Sequence, residues 1–386
     1  MKAKTFVILI ISAFVAAICV LFTTMKIANS INSRGNDWKS GKIHSIEPLL
    51  REEKALYIGQ KDISYDSFVV GGSKAGFLKK ERLDFYSGGN FYNFFATSGG
   101  FRDYDLYINY LIRKHEKNIK EIILHLSTYE ANAYSYGDYI PIPMQSNIFG
   151  KISSIFKICK SMYLNIDLFS NYAKKWLNNG KEDYAISEYG DYIMTKSVEE
   201  FSRDSDSYVK KYVLPITKDS RELKYLFEDS SLVSKSVCKK NITTLSRLKK
   251  LCDDNEIKLT IVIGAHWIGR LSNIWGDTFN QYLKDLISVN GSIWDFSGIN
   301  TVNMNPYNFF NDGHFWDFVG DKMIETMYEG EPNTSDMNAF GILLNKDNID
   351  AYIESQREKW LALKAEYDAT GTIQLQGKSD KSYLGQ

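Results

Sequence analysis

Two short segments of the chain contain residues that together have the chemistry of a nucleophilic site. The run Ser67–Lys74 is apolar up to two glycines and then presents Ser73. His314 lies more than two hundred positions later, in a polar run with Asp312 two residues before it. An imidazole takes the proton of a serine hydroxyl and an acid orients the imidazole, so these residues predict acyl transfer through a serine.

Ser73 is singled out by the turn on which it lies. It directly follows an apolar run, and open α/β sheets place their sites at the carboxyl ends of strands. Gly71 and Gly72 let the backbone turn sharply, which exposes the hydroxyl and lets backbone N–H groups face an oxyanion. An ordinary strand-to-helix turn has the same pattern, so the interpretation depends on the histidine. Gly99 and Gly100 end another apolar run and are predicted as further oxyanion donors.

The base can be sought by elimination because the chain has five histidines. His44 falls in a polar N-terminal stretch, and His115 is expected on an exposed, basic helix face. His125 lies inside an apolar run and is expected in the core. His266 follows a buried strand and is expected to line the pocket. His314, with an acid beside it, is therefore the predicted base.

The runs around these residues alternate between strand and helix character. Strands are predicted at Phe68–Val70, Phe91–Thr97, Glu121–Leu126, Leu259–Gly264 and Ser292–Phe296. Helices are predicted at Tyr104–His115, Ser234–Asp254, Phe279–Ile287, Val319–Tyr328 and Ile349–Leu363. Strands separated by helices form parallel βαβ units, so the sequence predicts an α/β fold with a central parallel sheet.

The chain is expected to divide into a membrane anchor and one main domain. Thr5–Thr24 is an uncharged, mostly apolar run long enough to span a bilayer and longer than the apolar region of a cleaved signal peptide, and Ile18 before Cys19 argues against a lipoprotein cleavage site. We therefore predict a transmembrane signal anchor at residues 1–26. Basic residues flank the run on both sides, so its orientation is open on charge alone.

After the anchor, four further segments are predicted. A polar stalk covers residues 27–54, and the main domain covers 55–345. A Tyr-, Ser- and Lys-rich insertion interrupts this domain at 133–232, with amphipathic helices within Ile155–Trp176. Residues 346–386 are predicted as a C-terminal helical extension. The insertion is interpreted either as a lid or docking surface or as a plain helical elaboration.

Composition excludes several classes of function. Lys+Arg and Asp+Glu both number 47 in 386 residues, which argues against a nucleic-acid partner. The sequence has no zinc-protease, phosphate-loop or dinucleotide motif, so no metal or other cofactor is predicted. Cys238 and Cys252 lie fourteen residues apart on one predicted helix, about 21 Å, too far for a disulfide. The 25 Tyr, 22 Phe and 7 Trp suit stacking on sugars, although most are expected in the core.

Taken together, these motifs resemble those of the SGNH (GDSL-like) hydrolases. The chain is most similar to the membrane-anchored branch that contains the alginate O-acetylation and teichoic acid D-alanylation proteins. The likeness covers roughly residues 55–130 and 234–350. It rests on the runs Val69–Lys74, Tyr92–Gly100, Trp294–Gly298 and Phe309–Phe315.

The chain departs from this family's pattern at two places. The third block of the family usually has an asparagine in the oxyanion hole, where this chain reads Leu126–Glu130 without one. The family's last block is usually Asp-x-x-His, whereas position 311 is Asn311. Either Asn311 or Asp312 would then orient the histidine, and Asp295 is a further candidate for the acid.

The resemblance implies an SGNH-like three-layer sandwich and an envelope O-acyltransferase or esterase. The acyl group would be acetyl, the substrate an extracytoplasmic polysaccharide, and the partner a membrane-bound O-acyltransferase. The main domain would lie outside the cytoplasmic membrane. Two alternatives stay open: a non-catalytic carbohydrate-binding or scaffolding subunit of a polymer complex, which the two departures favour, and a secreted lipase-like hydrolase, which the predicted anchor disfavours.

Overall fold

A computed structural model gives the fold of the chain. It describes residues 49–60, 64–115, 118–131, 134, 140–163, 185–214, 233–270, 276–371 and 373–375. It also describes Ser12, Val15, Ala16 and Thr23, which are helical and exposed.

Helices and strands alternate along most of the described chain. The strands are β1 (Ser67–Gly71), β2 (Phe91–Asn93), β3 (Glu121–Leu126), β4 (Ala185–Ile186), β5 (Tyr192–Ile193), β6 (Lys258–Ile263), β7 (Ser292–Asp295), β8 (Phe309–Asn311), β9 (His314–Phe315) and β10 (Ile342–Asn345). The helices are α1 (Leu49–Ile58), α2 (Lys80–Ser87), α3 (Phe101–His115), α4 (Ile148–Tyr163), α5 (Thr195–Arg203), α6 (Ser205–Tyr212), α7 (Lys235–Asp254), α8 (Asp277–Asn290), α9 (Asp317–Tyr328) and α10 (Ile349–Thr370).

A six-stranded sheet forms the centre of the fold. Its strand order is β10-β7-β6-β3-β1-β2, and every neighbouring pair is parallel except β10 with β7. The five parallel strands thus follow the 2-1-3-4-5 order of flavodoxin-like sheets, in which sites lie at the carboxyl ends of strands beside the β1/β3 switch point. The predicted α/β fold with a central parallel sheet is confirmed, except that the unpredicted edge strand β10 is antiparallel.

Buried apolar runs explain why the central strands form. Every residue of β1 and of β3 is buried, which is the pattern of parallel strands covered on both faces. The register places Gly71 opposite His125, and Leu126 opposite Ile263, so β1, β3 and β6 end side by side. Residues that follow these three strands therefore meet at one edge of the sheet.

The helices that cover the sheet form two packed groups. Helices α3 and α8 both pack against α7, while α2 packs against α9. Apolar side chains at helical spacing account for this; on α7, Leu245, Leu248 and Cys252 are buried and the intervening lysines are not. Ser234 caps α7 by accepting the N–H of Val237.

Several elements differ from the predicted ones. Strand β2 ends at Asn93, whereas the sequence predicted a strand to Thr97. The chain beyond Asn93 keeps two backbone hydrogen bonds to β1 but then turns, and Thr97 lies in this turn. Helix α2 and strand β10 were not predicted. His115 is buried rather than exposed, and its ring lies 5.3 Å from that of Phe68.

The chain divides into two compact units. One comprises Met1–Gln60 and Asp138–Glu188, and the other comprises Lys61–Gly137 and Tyr189–Gln386. The predicted insertion at 133–232 is therefore shared between them. Of the predicted helices at Ile155–Trp176, α4 covers the first part, and residues 164–184 lie outside the described residues.

Within the first unit, α1 begins inside the predicted stalk. Arg51, Glu52 and Lys54 are buried, and Glu52 accepts the backbone N–H of Ile142 at 2.8 Å. Residues 49–54 are therefore part of a packed helix, because charged side chains that find partners can be buried. Stalk residues 27–48 lie outside the described residues.

Within the second unit, the predicted C-terminal extension contributes to the core. Helix α10 buries Tyr352 and Ile353, and Tyr352 donates a hydrogen bond to Asp295 at the end of β7. Residues 376–386 lie outside the described part of the chain.

No helix among the described residues is both long and apolar enough to cross a membrane. Most of the predicted Thr5–Thr24 span lies outside them.

Candidate active site

The turn after β1 brings Ser73 to the carboxyl edge of the sheet. A side chain at Gly71 would place Cβ 2.5 Å from the backbone oxygen of His125, so the close approach of β1 to β3 requires glycine there. A short 3₁₀ helix, Ser73–Phe77, starts directly afterwards. Ser73 is thus the second residue beyond the strand, separated from it only by Gly72, on the glycine turn that the sequence predicted.

The hairpin β8–β9 brings His314 to the same place. Asn311 pairs with His314 across the hairpin, and the N–H of Trp316 donates to the carbonyl of Asn308 at 3.1 Å. Tyr208 of α6 donates to the carbonyl of Phe310 at 2.9 Å, so part of the predicted insertion holds the hairpin in position. His314 Nε2 lies 2.7 Å from Ser73 Oγ.

Asn311 determines which nitrogen of His314 carries the proton. Its Oδ1 lies 3.0 Å from His314 Nδ1 and 2.9 Å from the backbone nitrogen of Gly313. A backbone N–H can only donate, so the atom facing both groups must be the amide oxygen. An oxygen accepts from Nδ1–H and leaves Nε2 with its lone pair toward Ser73. This is the tautomer that a general base needs.

The hydrogen bonds described for the base join it to Ser73 and Asn311, and not to either of two acids named from the sequence. Asp312 is not a hydrogen-bond partner of His314; it is near enough to Lys74 to favour that lysine's charged form. Asp295 is buried, accepts from Ser297 and Tyr352, and has a raised pKa because burial disfavours its charge. The acid position of the site is therefore filled by a neutral amide, and Asp295 is a structural residue.

Burial and a nearby cation make His314 a weak base. Desolvation, followed by the charge of Lys74, lowers its pKa to about 4. Its ring is packed between Phe77 and Phe310, with centroids 5.9 and 5.8 Å away. The ring is consequently neutral at pH 7 and able to accept the hydroxyl proton.

Lys74 is a buried basic residue directly beside the serine; the resemblance included it at the end of the run Val69–Lys74, but it was not predicted as a site residue. Its Nζ lies 3.2 Å from the carbonyl oxygen of Ala265 and 2.8 Å from Nδ1 of His266. Burial lowers its pKa to about 7, an effect that Glu130 and then Asp312 oppose. His266, which was expected to line the pocket, is fully buried. It contacts Lys74 and is not among the residues that line the cleft. The local sequence signal for the burial of Lys74 is the apolar run that follows it, Ala75–Phe77.

Glu130 organises the turn after β3. One carboxylate oxygen accepts from Tyr104 Oη at 2.8 Å, and the other accepts from both the N–H and the hydroxyl of Ser127. Tyr104 also lies 3.1 Å from the carbonyl oxygen of Gly99. Burial raises the pKa of Glu130. The spacing Ser127-x-x-Glu130 is a capping-box pattern that marks the local part of this arrangement, whereas the bond from Tyr104 of α3 has no signal in the neighbouring sequence.

The predicted oxyanion donors are only partly in place. The N–H of Gly100 donates to Asp103 Oδ2 at 3.0 Å, and the N–H of Gly99 donates to the carbonyl of Ala96 at 2.9 Å. Both glycine N–H groups are therefore already bonded, contrary to the prediction. The N–H of Ser73, at the start of its 3₁₀ helix, has no acceptor among the described residues, as expected for the first turn of a helix.

A cleft of about 220 Å³ opens over the serine. The turns after β1, β2 and β3 and the hairpin all contribute to its wall. Its lining residues are Gly72, Ser73, Lys74, Ser98, Ser127, Tyr129, Glu130, Gly313 and His314. Ser98 has a positive φ of 52°, a left-handed conformation that is uncommon for residues other than glycine.

Comparison of the chain with protein-family models, with curated proteins and with solved structures finds no match. The relationship to SGNH hydrolases therefore stays a prediction from the motifs.

The arrangement has the parts needed for nucleophilic acyl transfer. A serine hydroxyl faces the bare nitrogen of an imidazole, the opposite imidazole nitrogen is held by an acceptor, and a backbone N–H lies at the serine itself. It lacks a carboxylate on the imidazole, so the imidazolium formed during reaction gains no direct ion pair.

Proposed function

We propose that this protein is a serine-dependent O-acyltransferase or esterase of the SGNH type at the cell envelope. The contact of 2.7 Å between Ser73 Oγ and His314 Nε2, across 241 positions of sequence, carries the proposal. Asn311 supports it by holding the imidazole in the tautomer of a base. The two helix groups on the sheet support the three-layer sandwich of that superfamily.

The proposed reaction proceeds in two steps. Ser73 Oγ attacks the carbonyl carbon of an acyl ester or thioester while its proton passes to His314 Nε2, and the N–H of Ser73 donates to the oxyanion. His314 then returns the proton to the departing alcohol or thiol, which leaves an acyl-serine. In the second step a polysaccharide hydroxyl, or water, gives its proton to His314 and attacks the acyl carbon. The bond from that carbon to Ser73 Oγ then breaks, and His314 returns the proton to Oγ.

The substrate is proposed to be a polysaccharide and the acyl group acetyl. A cleft of about 220 Å³ favours a small acyl group, and Tyr129 supplies an aromatic side chain to its wall, a residue type suited to sugars. The uncharged run Thr5–Thr24 supports a single membrane anchor, and the position of the main domain outside the cytoplasm rests on the family resemblance. A membrane-bound O-acyltransferase is the proposed acyl donor, on the family resemblance alone.

A non-catalytic scaffolding subunit is the second candidate. The bonded N–H groups of Gly99 and Gly100 and the neutral Asn311 favour it, because both reduce transition-state stabilisation. Such a subunit would bind polymer without turning over an ester.

Turnover of a small acetyl ester tests the proposal. The full chain in detergent would be incubated with p-nitrophenyl acetate, with and without acetyl-free oligosaccharides, and both nitrophenol and acetylated sugar measured. We expect release that is lost in Ser73→Ala and kept in Ser98→Ala, a second serine on the cleft wall. Equal background rates in all three proteins would favour the scaffold.

A further inference from the structure

Helix α4 turns an apolar stripe outward. Ile148, Phe149, Ile152 and Phe156 are 63, 80, 43 and 51% exposed. At about 100° of rotation per residue, these four side chains fall within an arc of roughly 100° on one face. The other large apolar residues that the structure describes as exposed lie singly on separate elements. We refer to the four residues as the α4 stripe.

The opposite side of α4 is held by polar contacts. Ser154 is buried, donates to the carbonyl of Ile140 at 2.6 Å, and contacts the amide nitrogen of Gln145 at 2.8 Å. A surface helix normally buries its apolar face and exposes its polar one. Here a serine is the buried anchor and the apolar face is exposed. The segment that anchors α4 therefore leaves the stripe uncovered.

Lysines lie on either side of the α4 stripe. By the same rotation per residue, Lys151 falls beyond one edge of the stripe and Lys157 beyond the other, and both are exposed. An apolar stripe bordered by lysines is the pattern of helices that lie in the interface of a bilayer with anionic headgroups. The charges favour phosphate-bearing lipid over a neutral apolar protein surface.

The compact unit that contains α4 also contains the proposed membrane anchor. Met1–Gln60 belongs to one unit with Asp138–Glu188, which contains α4. That stretch includes Thr5–Thr24, the uncharged run proposed above as the membrane anchor. A surface helix in the unit that carries such an anchor is thereby kept close to lipid.

We propose that α4 lies in the interfacial region of an anionic bilayer, with the α4 stripe facing the acyl chains and Lys151 and Lys157 at the phosphates. The inference rests on the proposed membrane anchoring but not on the proposed chemistry. It gives the membrane a second contact with the chain, beyond the anchor.

Spin-label accessibility tests the inference on the full chain. The protein would be placed in nanodiscs of phosphatidylcholine and phosphatidylglycerol, with a nitroxide at Phe149→Cys or, as control, at Phe85→Cys. Phe85 is a matched site because it is 75% exposed and lies on α2, in the other unit. Serine would replace Cys19 and Cys159. Cys238 and Cys252 stay, because both are buried and their pKa values are raised to about 11 and about 12.

Collision rates with lipid-soluble oxygen and with a water-soluble nickel chelate give the outcome. We expect the oxygen-to-nickel ratio at position 149 to be at least about fivefold that at position 85, and to fall when phosphatidylglycerol is omitted. Low rates with both reagents would mean that protein covers the stripe, and dipolar broadening would mean a second copy; either result overturns the inference. Equal ratios at the two sites would also overturn it.

Failure of the anchor is recognised separately. Co-flotation of the chain with vesicles reports the anchor, so a chain that floats but shows a water-exposed position 149 retains its anchor and refutes only the α4 contact. A chain that does not float refutes both. Hydrolysis of p-nitrophenyl acetate by the same samples reports the proposed chemistry independently.

Discussion

Replacing Asn311 by aspartate should move the acid limb of the pH–rate profile toward neutrality. His314 acts as a base only while its ring is neutral, and burial together with the charge of Lys74 lowers its pKa to about 4. The parent should therefore keep its esterase activity down to about pH 4 and lose it as the pH falls further. The neutral amide at position 311 carries no negative charge that would oppose these two effects.

The size of the shift follows from the geometry. A carboxylate oxygen would lie where Oδ1 now lies, 3.0 Å from His314 Nδ1, and would keep the bond from Gly313. An opposite charge that close raises a histidine pKa by about 1–3 units, which places the limb at about pH 5–7. If about half of the imidazolium charge has developed in the transition state, kcat above the limb should rise roughly 3- to 30-fold.

The assay is kcat/KM for p-nitrophenyl acetate from about pH 3.5 to 9, for the full chain and both variants. Asn311→Ala is the control, because it removes the acceptor without adding a charge. Its activity should fall at every pH, and its limb should not approach neutrality. Coincident limbs for the parent and Asn311→Asp would refute the reasoning, as would a parent limb at about 6.5, the ordinary histidine value.

Three further predictions concern the surroundings of the serine. Folding lowers the pKa of Lys74 from 10.5 to about 7, so between these pH values the folded state binds fewer protons than the unfolded state and the free energy of unfolding should rise with pH. Lys74→Met should flatten this rise in urea titrations. It should also move the acid limb to higher pH, because the charge that lowers the pKa of His314 is gone. Asp295→Asn should lower the free energy of unfolding by about 1–3 kcal/mol through its lost hydrogen bonds, yet leave the acid limb unchanged. Gly71→Ala should destabilise the fold by about 1–3 kcal/mol, since its Cβ would lie 2.5 Å from the β3 backbone, whereas Gly72→Ala meets its nearest atom at 3.4 Å and should unfold at the parent's temperature. Equal melting temperatures for the two alanine variants would contradict the packing argument.

Local patterns were sufficient to predict the five parallel strands of the sheet and the meeting of Ser73 with His314. Buried apolar runs separated by amphipathic helices determine a parallel sheet, and residues directly after its strands share one edge. The sequence could not decide between Asn311 and Asp312. Asn311 pairs with His314 across the hairpin, whereas Asp312 lies in the turn between them. Only the register of that hairpin determines which side chain faces the ring.

Other differences arose where partners are distant in sequence. Charged residues of α1 suggested a solvated stalk, but Glu52 accepts a backbone N–H from residue 142, ninety positions away. The N–H of Gly100, in contrast, is bonded to Asp103, three residues later, at the start of α3. An acid at that spacing is a recognisable helix N-terminal signal, so this bond could have been predicted from the sequence.

Labelling with a fluorophosphonate tests the central claim most directly. The probe reacts only with an activated serine, and intact-mass spectrometry counts the adducts on the full chain. The account predicts a single phosphonyl adduct on the parent and on Ser98→Ala, and none on Ser73→Ala. An adduct that persists on Ser73→Ala, or its absence from all three proteins, would contradict it.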